Sequence, residues 1–264
     1  MHRNPCSVMN RLLRHQRLNH SEQAIYHFRQ VLDRVPDDLD AIREIVPLYD
    51  ELGQPEKADE VIVIARAVGA GSNSLSEGAT LALIQARHGI ATGTVPKEVE
   101  GHFRKAIAAQ PDLVEARVEY AHWLDIMERN ADAVPMLMEG LKQPPYHPDL
   151  AAHLAWALAD SGIDLGQASH WFQIARQHYP QDPYLSDTQA WIEYRKGNYP
   201  GALEALQPSL PHAEQVPEIA YHAGAIHAKL RNRSEAVHFL RLSLQFGQPF
   251  NGQKEAKALL ESLK

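Results

Sequence analysis

Alanines recur along this chain at a fixed interval of 34 residues. The interval separates Ala24 from Ala58, and it separates the members of a later group, Ala168, Ala202 and Ala236. A bulky residue follows each of these alanines four positions later, and a small or branched residue follows three positions after that. Such periodicity indicates one helix–turn–helix unit used repeatedly. Because a single helix pair cannot bury its apolar face alone, these units must stack on one another.

The register of the repeat divides the chain into seven predicted units, residues 5–38, 39–72, 73–113, 114–147, 148–182, 183–216 and 217–250. The middle of the first helix carries a small residue in five units, at Ala82, Ala121, Ala155, Ala190 and Gly224, and a larger one at Leu12 and Val46. In this period and this small position the chain resembles the tetratricopeptide-repeat (TPR) family. The resemblance implies an all-α fold, a right-handed superhelical solenoid of about seven helix pairs in one array over residues 5–250. Residues 251–264 are expected to form a C-terminal capping helix.

The turns between the helices carry their own signals. Gly53, Gly162 and Gly197 fall where the first helix of a pair should end, and we expect each to supply a left-handed cap. The third unit is longer than its neighbours. We expect its extra residues to form an extended turn over residues 89–96, between helices at residues 76–88 and 97–109.

In the TPR family the first helix of each pair lines the concave face, so the resemblance also implies a partner-binding groove. The residues predicted for it are Trp156, Trp191, Tyr194 and Tyr221, which would form an aromatic wall, together with His122, Asp125 and Asp187. The alternative is that some of these rings pack into the core between repeats. The Lys and Asn residues with which some family members clamp a partner's C-terminal carboxylate are replaced here, so a chaperone tail is not an expected partner.

Several function classes are excluded by composition and motif. A net charge of −7 disfavours nucleic-acid binding, and the single cysteine, Cys6, excludes an internal disulfide and a Cys-based zinc site. No histidine pair has the spacing of a helical metal site, and no phosphate-binding or nucleophile motif occurs. We therefore expect no enzyme activity, no catalytic residue, no cofactor and no metal. No apolar run is long enough to span a membrane and no signal segment is recognised. The expected location is the cytoplasm, or the periplasm if the chain is processed or truncated.

Three functions remain open at this stage. The first is a bacterial-type scaffold or adaptor that holds a peptide or protein in its groove, with the acidic groove residues Asp50, Asp125 and Asp187 favouring a basic partner. The second is self-assembly into homo-oligomers, since residues 1–34 carry a net charge of +4 against −11 for the remainder. The third is a chaperone of c-type cytochrome biogenesis, because residues 81–111 are similar to the TPR part of those proteins.

Overall fold

The computed structural model describes residues 20–69, 74–142, 144–247 and 249–263, and in those ranges all regular structure is helical. The helices are α1 (residues 20–32), α2 (Leu39–Glu51), α3 (Pro55–Gly69), α4 (Leu75–Thr92), α5 (Pro96–Ala109), α6 (Val114–Ile126), α7 (Asn130–Gly140), α8 (Pro148–Ser161), α9 (Leu165–His178), α10 (Pro183–Arg195), α11 (Tyr199–Leu206), α12 (Pro217–Lys229), α13 (Arg233–Ser243) and α14 (Gln253–Ser262). None of these helices is both long and apolar enough to cross a membrane. The predicted positions of Leu12 and Cys6 lie outside the described residues.

The chain divides into two compact units, Met1–Ala116 and Arg117–Lys264. In the first unit, α2 packs against α3 and α4, and α4 packs against α5. The α2 helix begins where the Asp38 side chain accepts a hydrogen bond from the backbone N–H of Ala41 at 2.9 Å. Its apolar residues recur at helical spacing, so that Ile42, Ile45 and Val46 are all buried between the helices. The division of the sequence into seven units stays a prediction.

The second unit consists of helix pairs stacked in series. The pairs are α8 with α9, α10 with α11 and α12 with α13, and their first helices α8, α10 and α12 also contact one another in that order. Gly224 shows why the middle of the first helix must be small. A Cβ at Gly224 would lie 2.7 Å from Cγ of Leu240 and 3.0 Å from its backbone nitrogen. The absence of a side chain therefore lets α12 and α13 approach closely.

The turn signals are confirmed. Gly53, Gly162 and Gly197 have φ angles of 67°, 68° and 82°, in the left-handed region that glycine adopts at little steric cost. Each of them ends a first helix, as the repeat register predicts.

The prediction of an extended turn in the third unit is wrong. Residues 89–92, expected to be loop, continue α4 to Thr92, and Gly93 then ends the helix with a φ of 70°. The Thr92 hydroxyl donates to the backbone carbonyl of His88 at 2.8 Å, which is compatible with helix in this last turn. The extra residues therefore add about one helical turn, since a turn takes 3.6 residues.

The C-terminal helix α14 lies where the capping helix was predicted. Ala256 on this helix is fully buried, and Leu259, Leu260 and Leu263, which share its stripe, are half-buried. Contacts with α12 and α13 hold α14 against the end of the second unit.

Candidate partner-binding site

A cavity of about 560 Å³ opens on the face of the second unit that its first helices line. Helices α6, α8, α10 and α12 supply most of its walls, and the segments before α10 and α12 supply the rest. Its lining residues are Val118, His122, Asp125, Asp149, Ala152, His153, Trp156, Tyr179, Asp182, Tyr184, Leu185, Asp187, Thr188, Val216, Glu218 and Ile219. Because residues one turn apart on a helix share a face, the first helices present a common surface here.

Four of the seven predicted groove residues line this cavity: His122, Asp125, Trp156 and Asp187. The other three, Trp191, Tyr194 and Tyr221, lie deeper in the stack. Trp191 is 5% exposed and Tyr221 is 8% exposed, while Tyr194 is half-buried. A role for these seven residues in partner binding stays a prediction. The open aromatic wall expected from the sequence is nevertheless largely covered at Trp191 and Tyr221.

Stacking explains why these rings are covered. The ring of Trp191 stacks on Tyr194 with 4.6 Å between centroids, and on His222 with 4.1 Å between centroids. Tyr221 adds a tilted contact with Trp191 at 5.7 Å. Since Trp191 lies on α10 and both His222 and Tyr221 lie on α12, the rings fill the interface between successive first helices. They follow the alternative in which aromatic residues pack between repeats.

A buried ion pair lies beneath the cavity. Nδ1 of His222 lies 2.9 Å from both carboxylate oxygens of Asp187, and the two side chains are 2% and 9% exposed. Burial alone would lower the pKa of His222, but the charge and hydrogen bond of Asp187, together with the charges of Asp160 and Glu218, outweigh burial and raise the pKa. The negative charge of Asp187 is therefore balanced locally when His222 is protonated.

Asp125 is a junction of hydrogen bonds at the edge of the cavity. Its Oδ1 accepts from Nε1 of Trp156 at 2.8 Å, from Nδ2 of Asn130 at 2.6 Å and from Nδ2 of Asn251 at 2.9 Å. The amides of Asn130 and Asn251 also donate to Oδ2 of Asp160, at 2.7 and 3.1 Å. These bonds fix the Trp156 ring at the cavity wall.

The remaining cavity carboxylates have different environments. Burial raises the pKa of Glu218, and the charges of Asp125 and Asp187 raise it further. Asp149 accepts a hydrogen bond from the Tyr179 hydroxyl at 2.6 Å. Burial first, and the neighbouring carboxylates second, thus make ionisation of Glu218 harder than it is in water.

His153 offers little compensating positive charge in the cavity. Burial lowers the pKa of His153, and the neighbouring His122 lowers it further. His153 is consequently neutral at pH 7, and the cavity keeps an acidic character.

Sequence reasoning missed Glu218, Asp149 and Asn251. Glu218 lies one helical turn before His222, so the α12 register offered a signal for it, and Asp149 follows the proline that starts α8. Asn251 lies outside the repeats, and its contact with Asp125 joins residues 126 positions apart. Nothing in the periodicity predicts that contact.

The first unit has a smaller cavity of about 270 Å³, and Asp50 is one of its lining residues. Its carboxylate lies 2.8 Å from Nδ1 of His88, whose Nε2 lies 3.2 Å from Asp59. Burial raises the pKa of Asp50 although the His88 hydrogen bond opposes the change. Asp50 is thus engaged within the chain.

In the part of the chain that the structure describes, no group of three or more His, Cys, Asp or Glu side chains is arranged to hold a metal ion.

Comparison with known proteins defines the fold. No protein-family model matches the sequence, and no curated protein sequence matches it. Among solved structures, a tetratricopeptide repeat protein from Parabacteroides merdae is 12% identical with a TM-score of 0.65, and the match covers 92% of each chain. The type IV pilus biogenesis factor PilW is 17% identical with a TM-score of 0.61, covering 85% of this chain and 97% of its own. This chain has the TPR fold. The predicted all-α solenoid of TPR-like helix pairs is thereby confirmed.

A third TPR structure is YrrB, described as having an unusual peptide-binding site. It is 18% identical with a TM-score of 0.53, and the match covers 77% of this chain and 97% of YrrB.

Proposed function

We propose that this TPR chain is a non-catalytic interaction scaffold that binds an extended, basic segment of a partner protein in the cavity of the second unit. The observation that carries the proposal is the charge of the cavity wall. Five of its lining residues are carboxylic acids, and the same lining includes no lysine or arginine. A cavity lined by one sign of charge attracts the opposite sign and holds it more strongly than open solvent does.

The carboxyl group of Glu218 gives the charge argument a local basis. Its negative form is disfavoured by burial and by two neighbouring carboxylates. A guanidinium or ammonium group in the cavity would favour that form, and hydrogen bonds between charged partners are roughly twice as strong as neutral ones. A cationic group of the partner would therefore offset the free-energy cost of ionising Glu218, and that gain would add to the binding affinity.

Aromatic side chains complete the proposed binding surface. Trp156 is half-buried in the wall, and Tyr184 is 60% exposed. Such rings supply contact area and attract cations to their faces. The TPR protein YrrB, with its peptide-binding site, is a precedent for peptide binding by this fold.

The experiment compares two charge-removing substitutions in the second unit. Glu218→Gln removes a cavity carboxylate, and Glu204→Gln removes one from the exposed surface of α11. The probe is a fluorescein-labelled peptide of Gly-Ser-Arg repeats, with Gly-Ser-Glu repeats as its charge control, followed by fluorescence anisotropy at constant salt.

We expect Glu218→Gln to weaken binding of the Arg peptide by roughly three- to tenfold, because a lost contact to a charged group is worth about 1 kcal/mol after solvent screening. Glu204→Gln should leave the affinity unchanged. Equal weakening by both substitutions would mean that net charge alone attracts the peptide, and absence of binding would reject the proposal outright.

Self-assembly is a second candidate, favoured by charge complementarity. Residues 1–34 carry a net charge of +4, and the cavity of the second unit is acidic. The basic segment of one copy would then occupy the cavity of another. Light scattering over a concentration and salt series tests it, since a monomer at low salt and high concentration contradicts it.

The cytochrome-biogenesis alternative also stays a prediction. It requires binding to a Cys-x-x-Cys-His peptide, and failure of such a peptide to bind would remove it.

A further inference from the structure

The segment that precedes and begins α14 folds back onto the helices that line the cavity. Phe250 is 3% exposed, and its ring centroid lies 6.3 Å from that of Tyr221. The next residue, Asn251, donates to both Asp125 and Asp160. Nζ of Lys254 then lies 2.7 Å from a carboxylate oxygen of Glu128. Residues 250–254 therefore occupy the edge of the proposed binding site.

Gly252 shows how closely this segment is fitted. Its φ angle is 90°, and a Cβ at this position would lie 2.4 Å from Cε1 of Tyr221. A side chain is excluded both by the backbone conformation and by the ring. The segment thus makes a specific contact with the first helices.

The chemistry at Asn251 is that of a replaceable ligand. Two carboxylates, Asp125 and Asp160, share the amide groups of Asn130 and Asn251, which are neutral donors. The nearby Arg195 donates to the backbone carbonyl of Asp160 and not to its carboxylate. A guanidinium in place of Asn251 would offer the same pair several N–H donors and also a positive charge, which makes each bond stronger.

The other contacts of the segment include an exposed ion pair and a buried ring. The ion pair between Lys254 and Glu128 is open to solvent, with side chains 79% and 40% exposed, and such pairs contribute little. The buried ring of Phe250 is the main apolar anchor. A partner that supplies an aromatic or aliphatic residue there would replace it as well.

We propose that residues 250–254 are an internal ligand of the Asp125–Asp160 pair, and that an arginine side chain of the partner displaces Asn251 from it. This rests on the proposed function, since it concerns the same acidic site and the same basic partner. The pair is the point at which the partner's guanidinium docks, and the C-terminal segment holds it in the free protein. Partner binding and docking of this segment are therefore coupled, and each weakens the other to the same extent.

The test uses the full chain, its Asn251→Ala variant and the matched control Gln245→Ala, which changes an exposed residue outside these contacts. Affinity for the Gly-Ser-Arg peptide is measured by anisotropy, and hydrogen–deuterium exchange is measured over residues 249–256. Asn251→Asp, which brings a third carboxylate to the pair, is the second variant, with Gln245→Glu as its charge control.

We expect the Asn251→Ala variant to bind the peptide at least about threefold more tightly, because its internal ligand, residues 250–254, competes less well. Saturating peptide should accelerate exchange over residues 249–256 in the unmodified chain, and Asn251→Asp should accelerate it without peptide. The Gln245 variants should behave like the unmodified chain.

Two results overturn the inference and leave the proposed function intact. One is peptide binding that responds to Glu218→Gln while Asn251→Ala changes neither affinity nor exchange. The other is unaltered exchange over residues 249–256 in Asn251→Asp. If the peptide binds none of the proteins, the proposed function and the inference both fail.

Discussion

Replacing Trp191 separates a core role for this ring from a role in the groove. Trp191 is 5% exposed and stacks on both Tyr194 and His222. Truncation of a buried tryptophan to alanine costs about 3–5 kcal/mol of stability, which includes the cavity left behind. The stacked contacts place Trp191→Ala in that range, because each aromatic pair adds about 0.5–1.5 kcal/mol beyond its buried area.

Trp191→Phe is the informative control. Within the described residues, Nε1 of Trp191 is buried and has no hydrogen-bond partner. A buried donor left unpaired costs about 1–3 kcal/mol, so a phenyl ring removes that penalty while it loses some contact area. We expect Trp191→Phe to remain within about 1 kcal/mol of the unmodified chain.

Urea denaturation followed by circular dichroism measures both variants. Because repeat arrays can unfold in parts, hydrogen exchange of the α10 and α12 amides should accompany it. A loss below about 1 kcal/mol for Trp191→Ala, combined with weaker peptide binding, would refute the core role. That result would instead support the role of Trp191 in the groove that the sequence predicts.

Two further predictions concern stability. The raised pKa of His222 means that its pairing with Asp187 stabilises the fold fully below the ordinary value of 6.5 and loses that effect as the pH rises through the raised pKa. The difference in unfolding free energy between the unmodified chain and Asp187→Asn should thus shrink from acidic to alkaline pH; a constant difference contradicts the pairing. Gly224→Ala should cost about 1–3 kcal/mol in thermal denaturation because Leu240 blocks a Cβ. A Cβ at Gly101 meets nothing within 4 Å, so Gly101→Ala should stabilise the fold by up to about 1 kcal/mol. If Gly224→Ala proved the more stable of the two variants, the close approach of Leu240 to Gly224 would be contradicted.

Much of the fold is predictable because its determinants are local and repeated. Gly224 and Gly162 could be placed from one repeat register, since a close helix approach and a left-handed cap each depend on a few neighbouring residues. The end of α4 was not predictable in this way. Glycine and threonine near residue 89 favour a turn, but they are also tolerated in a helix whose last carbonyls are satisfied.

The residues of the candidate site also differ in whether a local sequence pattern predicts their positions. His122, Asp125 and Trp156 reach the cavity because helical register alone decides which way they face. Trp191 occupies the corresponding position on α10, but the next first helix, α12, covers it. The residue pattern of α10 alone carries no information about how α12 packs against it. The position of Asn251 could not be predicted from the sequence, because it depends on the path of a segment outside the repeats.

The contact between Asp125 and Asn251 also changes how the second unit should unfold. In a repeat array each helix pair touches only its neighbours, so stability is a sum of nearest-neighbour terms and the ends can fray independently. Here the end of the chain is tied to the helix at which the unit begins, across 126 residues. This hydrogen bond adds an interaction free energy between elements that are not neighbours in the array, so fraying at α14 also removes bonds at α6. The second unit should therefore lose its structure more nearly as one cooperative block than an open array of equal length would, and a ligand that breaks the tie would return it to one-dimensional behaviour.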